Sequence, residues 1–93
     1  MIDDGAVRAL KAGKSLLPVG VKEVIGTFDR GDGITLKTQA GASIGIGLSG
    51  YDHQDARKIA GKHSEDLAGI LGYAGRDVLV HRNDLVLLKD ENV

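Results

Sequence analysis

The sequence contains no cysteine and no tryptophan, and aromatic residues make up only 3% of it. The missing cysteine excludes disulfide frameworks, thiolate metal sites and thiol catalysis. So few aromatic side chains argue against a protein that reads single-stranded nucleic acid by stacking successive bases. No apolar run approaches the ~18 residues of a transmembrane helix, and no secretory signal is visible. We therefore expect a cytoplasmic domain with no membrane partner.

The chain is short, at 93 residues, which corresponds to one domain or part of one. Hydrophobic residues make up 42% and charged residues 27%, as in ordinary folded domains rather than disordered segments. Glycine is abundant, with 14 residues, and such a composition implies many tight turns. Short strands are therefore favoured over long helices.

The net charge does not indicate a nucleic-acid-binding protein, because its formal value is −1. Four of the acidic residues lie at the two ends of the chain, and residues 5–89 hold 12 basic and 9 acidic residues. The densest basic stretch is 53–63, and two interpretations of it remain open. It is either the solvated face of a helix or a patch that faces phosphates.

Two alternating runs, 34–38 and 42–48, predict an antiparallel hairpin with a loop at 39–41. Alternation places every second side chain on the same face of a strand. We expect the apolar positions to face inward, namely Ile34, Leu36, Ile44, Ile46 and Leu48.

Short helices are predicted around this hairpin. One follows Asp3 and ends at Gly13, a second covers 52–60, and a third covers 64–71 with Ser64 as its N-cap. The buried stripe of the third helix is expected to be Leu67, Ile70 and Leu71.

Further apolar runs at 15–17, 78–80 and 85–88 predict short strands. The segment 18–25 is ambiguous, because its proline and glycine favour helical turns whereas its β-branched residues favour a strand. The predicted fold is mostly β with small helices, an α+β or small-barrel architecture.

Motifs that suggest catalysis are weak. Residues 45–50 match G-x-G-x-x-G, but the first two glycines lie inside an alternating strand rather than on a turn before a helix. Glycines that allow close backbone approach explain this run better than a nucleotide site does. The three histidines lack metal-ligand spacing, and no nucleophile with a base stands out. We therefore expect no catalytic, cofactor-binding or metal-binding residues in this chain.

A set of motifs resembles one family closely. Residues 13–21 have the sequence GKSLLPVGV, residues 70–73 have ILGY and residues 81–87 have HRNDLVL. Single matches accompany them at Gly26, Phe28, Arg30, Gly31, Asp32, Gly47, Leu48, Tyr51, Ile59, Ala60, Gly61 and Ser64. Together they resemble the C-terminal PUA domain of bacterial glutamate 5-kinase over residues 3–88.

The resemblance implies a pseudo-barrel of short strands. It also implies a parent enzyme that phosphorylates glutamate with ATP and Mg²⁺ in the first step of proline biosynthesis. The catalytic residues of that enzyme belong to a kinase domain ahead of this segment, so the chain alone should be inactive. The expected organisation is a linker and short helix at 1–12, the PUA domain at 13–89 and an acidic tail at 90–93. The implied partners are the kinase domain in cis and further copies of the full enzyme.

An RNA-binding role is the alternative, because PUA domains in RNA-modifying enzymes bind structured RNA. By that resemblance the contact residues would be Lys14, Gly20, Lys22 and Arg82. The simpler alternative is that both lysines are solvated and that Arg82 pairs with Asp77 or Asp84.

Overall fold

The computed structural model describes residues 1–88, and the predicted acidic tail at 90–93 lies outside this range. Within these described residues there are three helices and three strands, and 3₁₀ turns lie between them at Pro18–Gly20, Ser64–Asp66 and Arg82–Asp84. The helices are α1 (Asp4–Lys11), α2 (His53–Ile59) and α3 (Leu67–Leu71), and the strands are β1 (Gly33–Lys37), β2 (Ser43–Leu48) and β3 (Leu85–Leu87). The α+β prediction is confirmed. No helix among the described residues has the length and apolar character needed to cross a bilayer.

The start of the chain is packed into the core. Asp3 caps α1, because its Oδ1 accepts a hydrogen bond from the Ala6 amide at 2.7 Å. Gly13 follows the helix with φ of 83°, the left-handed conformation predicted for it. Leu10 and Ile2 are both buried, and Ile2 forms bridges with two other segments. Residues 1–12 therefore belong to the same core as the rest of the described chain.

The predicted hairpin is confirmed, and it forms two strands of a sheet ordered β1-β2-β3. Both pairings are antiparallel, with Leu36 opposite Gly45 and Gly45 opposite Leu87. A register shift lies between Leu36 and Lys37, next to the turn. The fixed register determines which side chains of the three strands share a face.

The predicted orientation of β2 is wrong. Ile46 and Leu48 are each 48% exposed, whereas Gly45 and Gly47 are buried. The reason is the neighbouring structure: an added Cβ at Gly47 would lie 2.5 Å from Val80 Cγ1, so that face has no room for side chains. Ile44 is half-buried, and Ile34 and Leu36 face the core on β1 as expected.

The ambiguous segment 18–25 contains one 3₁₀ turn and then runs without regular structure. Val21 bridges to Ile2 in an antiparallel sense. Beyond it, the Gly26 carbonyl accepts a hydrogen bond from Arg57 Nη2 at 2.7 Å, and the Phe28 carbonyl accepts one from the His53 amide at 3.0 Å. Side-chain and backbone groups of α2 therefore hold residues 24–28.

Of the helices after the hairpin, α2 forms as predicted, and α3 differs from the prediction in its start and in the exposure of Ile70. Asp52 caps α2 through its Oδ1, which accepts from the Asp55 amide at 2.8 Å. Ser64 is not an N-cap; it begins a 3₁₀ turn that His63 precedes, and α3 starts only at Leu67. Ile70 is exposed rather than buried, whereas Leu67 is buried and Leu71 packs against the core.

The predicted strands at 15–17 and 78–80 are each reduced to one bridging residue, because only Leu16 and Val80 pair. Both residues are fully buried. Leu17 is exposed on the other side of the backbone. The bridge places the two segments beside the inner face of the sheet.

We expect Gly47→Ala to lower the free energy of unfolding by about 1–3 kcal/mol, as for other overpacked cores. The new methyl group would meet Val80 Cγ1 and the Asp84 carbonyl. Guanidinium unfolding of both proteins measures the difference.

Gly33→Ala is the matched control, because it is the same change in the neighbouring strand with nothing within 4 Å of the new Cβ. It should leave stability unchanged or raise it by up to about 1 kcal/mol. Equal destabilisation by both changes would contradict the packing argument.

Candidate nucleic-acid interface and an adjacent cleft

The structure brings together two of the four predicted contact residues, Lys14 and Arg82. The Arg82 amide donates to the Ser15 hydroxyl at 2.9 Å, so the residue after Lys14 contacts Arg82 directly. The Leu16–Val80 bridge aligns the two segments just beyond this contact. Both Lys14 and Arg82 are exposed. They form a small cationic surface at the end of α1.

Gly20 and Lys22 follow Lys14 in the sequence, and they lie in space beside the first three residues of the chain. Gly20 is buried beneath α1, where an added Cβ would lie 2.7 Å from Ala6 Cβ. Its carbonyl accepts from the Asp3 amide at 2.9 Å. Lys22 is exposed, and its amide donates to the Met1 carbonyl at 2.8 Å. Gly20 thus fixes the position of α1, and Lys22 lies beside Met1.

Within residues 1–88 Arg82 forms no ion pair with an acid, contrary to one of the sequence-based alternatives. Within residues 1–88 the ion pair that forms joins Lys58 to Asp55 at 3.8 Å. Asp77 and Asp84 are therefore no partners of the Arg82 guanidinium. Arg82 is exposed, and its backbone lies next to the residue that follows Lys14.

The glycine-rich motif does not form a nucleotide cradle. Gly45 and Gly47 lie on β2 with their Cα atoms against β3 and Val80, as expected for glycines that allow close approach. The His81 ring caps the turn after it, with Nδ1 accepting from the Asn83 amide at 3.1 Å. In residues 1–88, no three His, Asp or Glu side chains come close enough together to hold a metal ion.

A second feature is a cleft of about 490 Å³ between the start of α2 and the loop at 73–76. Two tyrosines hold its walls together. The Tyr73 hydroxyl donates to Asp55 Oδ2 at 2.6 Å, and the Tyr51 hydroxyl donates to the Arg76 carbonyl. Arg30 lines the same cleft from the turn before β1.

The tyrosine pKa values reflect these contacts. The hydrogen bond to the Asp55 carboxylate raises the pKa of Tyr73 to about 12. Burial raises the pKa of Tyr51, whose ring lies in the core. Both phenols are therefore neutral donors at physiological pH, and they keep the loop at 73–76 closed against α2.

Sequence reasoning did not identify this cleft as a site. Arg30, Tyr51 and Tyr73 each belong to motifs that carry the family resemblance, but they are far apart in the sequence. One feature of the sequence could have indicated the cleft. These three motif residues are polar or aromatic, and packing of a core alone does not require such residue types.

We predict that both tyrosines of this chain titrate above their ordinary pKa of 10.0, and that the pKa of Tyr73 is about 12. Replacing Asp55 with Asn should move the titration of Tyr73 back toward 10.0, because the carboxylate charge is removed. Ultraviolet absorbance of the phenolates follows both groups without interference from tryptophan.

Because the pKa of Tyr73 is raised in the folded protein, its hydrogen bond to Asp55 stabilises the fold only while the phenol is protonated. The contribution of the Tyr73–Asp55 bond is complete below pH 10 and is lost as the pH rises to about 12. In Tyr73→Phe only the titration of the Tyr51 phenol remains, so this variant shows which absorbance change belongs to which tyrosine. A Tyr73 titration that is unchanged in Asp55→Asn would contradict the predicted hydrogen bond.

Comparison with known proteins places these observations in a family. The sequence profile of the PUA domain matches residues 1–71. The chain is 58% identical over 86 residues to glutamate 5-kinase of Sinorhizobium fredii (strain NBRC 101917 / NGR234). This alignment covers 92% of the chain but only 22% of that relative. Glutamate 5-kinase 1 of Rhizobium meliloti (strain 1021) is 57% identical over the same share of each protein. The chain thus spans about a fifth of the length of these curated relatives, at their C-terminal end.

A solved structure supports the fold. The crystal structure of a PUA domain from Aeropyrum pernix K1, a tartrate complex, superposes with a TM-score of 0.62 at 22% identity. The match covers 86% of this chain and 39% of that one. The chain therefore belongs to the PUA-domain family and is homologous to the C-terminal domain of bacterial glutamate 5-kinases.

Proposed function

We propose that this chain is the accessory, non-catalytic domain of a cytoplasmic glutamate 5-kinase. That enzyme phosphorylates glutamate with ATP to give glutamate 5-phosphate, the first step of proline biosynthesis. The observation that carries the proposal is the identity of 58% over almost the entire chain with a relative of that name. The kinase part ahead of it would bind ATP and Mg²⁺, and the full enzyme would assemble from several copies.

The chemistry of the described residues supports an accessory role. Phosphoryl transfer requires a phosphate cradle and carboxylates that hold Mg²⁺ in fixed geometry. The glycines that resemble a cradle are packed against Val80 and β3. Two of the acids that line the cleft at 73–76 are used in the fold, Asp52 as a helix cap and Asp55 as the partner of Tyr73 and Lys58.

We expect the isolated chain to give no product with ATP and glutamate. A chimera of the Sinorhizobium fredii enzyme, with its own C-terminal domain replaced by this chain, should phosphorylate glutamate at a rate close to that of the parent. Coupled detection of ADP measures both. The same enzyme truncated before the domain is the control that shows what the domain contributes.

Two results would contradict the proposal. One is product formation by the purified chain alone, with contaminating kinase excluded. The other is a soluble, folded chimera that phosphorylates glutamate much more slowly than the parent enzyme does.

RNA binding is the second candidate, and the exposed Lys14–Arg82 surface, which forms no ion pair within residues 1–88, favours it. Affinity for RNA depends largely on the neutralisation of phosphates, and each neutralised phosphate adds to the salt dependence. With Lys22 included, about three cations are available, which predicts a log–log salt slope near −2 to −3.

We expect binding of structured RNA at about micromolar affinity or weaker at physiological salt. Titrations at two salt concentrations should show weaker binding for Lys14→Ala and for Lys22→Ala. Lys58→Ala is the matched control, because Lys58 is a lysine already paired with Asp55 on another face. No binding at low salt, or equal loss in all three variants, would remove this candidate.

A further inference from the structure

The cleft of about 490 Å³ between α2 and the loop at 73–76 carries charges of both signs. Two arginines and two aspartates line it, namely Arg30, Arg76, Asp52 and Asp55. A cleft of this size with a few convergent polar groups is typical of a small-molecule site. The candidate RNA surface uses none of these four side chains.

The two arginines come from different parts of the chain and meet next to Gly50. The Gly31 amide donates to the Ser49 carbonyl at 2.8 Å, which places Arg30 beside the end of β2. Arg76 lies over the following residue, because an added Cβ at Gly50 would be 3.6 Å from Arg76 Cδ. Contacts around Gly50 therefore bring the two arginines to one cleft.

Both guanidinium groups are available to a ligand. Arg30 and Arg76 are exposed, and within residues 1–88 neither forms an ion pair. The guanidinium hydrogen bonds in the same range are made by Arg57, to carbonyls outside the cleft. The planar fork of N–H donors on a guanidinium group matches the two oxygens of a carboxylate. Two such forks at one cleft favour a ligand that carries a carboxylate.

The two aspartates differ in which oxygens are left for a ligand. Both oxygens of Asp55 are engaged, Oδ2 by the Tyr73 hydroxyl and Oδ1 by Lys58 Nζ. Asp52 makes one side-chain hydrogen bond within residues 1–88, in which its Oδ1 accepts from the Asp55 amide at 2.8 Å. Its Oδ2 can therefore accept from an ammonium group. In the described range Asp52 forms no ion pair with either arginine, so a ligand can lie between them.

The walls of the cleft are held in place without a ligand. The Tyr73 hydroxyl bonds to Asp55, and the Tyr51 hydroxyl bonds to the Arg76 carbonyl. Gly75 lies against the Tyr51 ring, where an added Cβ would be 3.1 Å from Cε1. A site that is already formed loses less conformational entropy when it binds a small ligand.

We propose that this cleft binds a free α-amino acid, a small molecule with one carboxylate and one ammonium group. The carboxylate lies between the guanidinium groups of Arg30 and Arg76, and the ammonium donates to Asp52 Oδ2. Phosphates and nucleic acids are disfavoured, because two carboxylates line the same cleft and repel multiply charged anions. The proposal goes beyond the accessory role and does not depend on kinase activity.

The test is a titration of the isotope-labelled chain followed by NMR, at constant ionic strength. L-alanine is the probe. Propionate lacks its ammonium, ethylammonium lacks its carboxylate, and inorganic phosphate replaces the zwitterion with a phosphate anion. L-alanine should shift the Nε–H signals of Arg30 and Arg76 and the amide signals of 50–52 and 73–76, with a Kd near millimolar. Each of the other three ligands should bind at least about tenfold more weakly.

Variants of the arginines test the carboxylate contact. Arg30→Gln and Arg76→Gln should each weaken L-alanine binding by about tenfold or more. Arg8→Gln is the matched control, because Arg8 is an exposed arginine on α1 that does not line the cleft. It should leave the affinity unchanged. The Tm of each variant shows whether the fold is intact.

Asp52→Asn tests the ammonium contact separately. Asparagine caps helices as well as aspartate does, so α2 should remain capped while the carboxylate charge is removed. This variant should bind L-alanine no better than the parent chain binds propionate. Its affinity for propionate should be unchanged or higher, because a negative charge has been taken from the cleft.

Four results would overturn the proposal. The first is the absence of shifts at the cleft up to about 50 mM L-alanine. The second is binding of propionate or phosphate as tight as that of L-alanine. The third is equal weakening by Arg8→Gln and the two cleft variants, and the fourth is unchanged L-alanine affinity in Asp52→Asn. No kinase assay is involved, so each of these results leaves the proposed accessory function untouched.

Discussion

The rest of the fold depends on how closely Val80 and β3 approach β2. Val80 is fully buried, and an added Cβ on Gly47 would lie within 2.5 Å of its side chain. This close packing holds the segment at 78–80 against the sheet, where Val80 pairs with Leu16. Two residues beyond the bridge, the Arg82 amide meets Ser15. The position of the cationic Lys14–Arg82 surface is therefore a consequence of two side-chain-free positions on β2.

The same constraint explains which part of the hairpin was predictable. Alternation in the sequence specifies a strand and its turn, and both are observed in β1 and β2. Alternation does not specify which face is buried, since either set of alternate residues can face inward. On β1 the apolar set faces the core, but on β2 the glycine set does, because Val80 and Leu85 fill the space from a distant part of the chain. Composition of the strand alone cannot reveal such a neighbour.

Local signals predicted the ends of the first two helices well, because a cap involves only residues a few positions apart, but Ser64 does not cap the third helix. Asp3 and Asp52 cap their helices, and Gly13 and Gly61 end them in the left-handed conformation. The neighbouring positions of Lys14 and Arg82 could not be predicted from local signals. Lys14 and Arg82 are brought together by a contact 67 residues apart in the sequence, which only the family resemblance indicated.

The start of the chain is held in the same core as the sheet. Ile2 is buried and bridges Val21 on one side and Thr38 on the other. The segment that follows Val21 is held by α2, because the Arg57 guanidinium donates hydrogen bonds to the Val24 and Gly26 carbonyls. Contacts between residues far apart in the sequence therefore fix the irregular segments of this fold, where a ladder of strand hydrogen bonds is absent from residues 22–28.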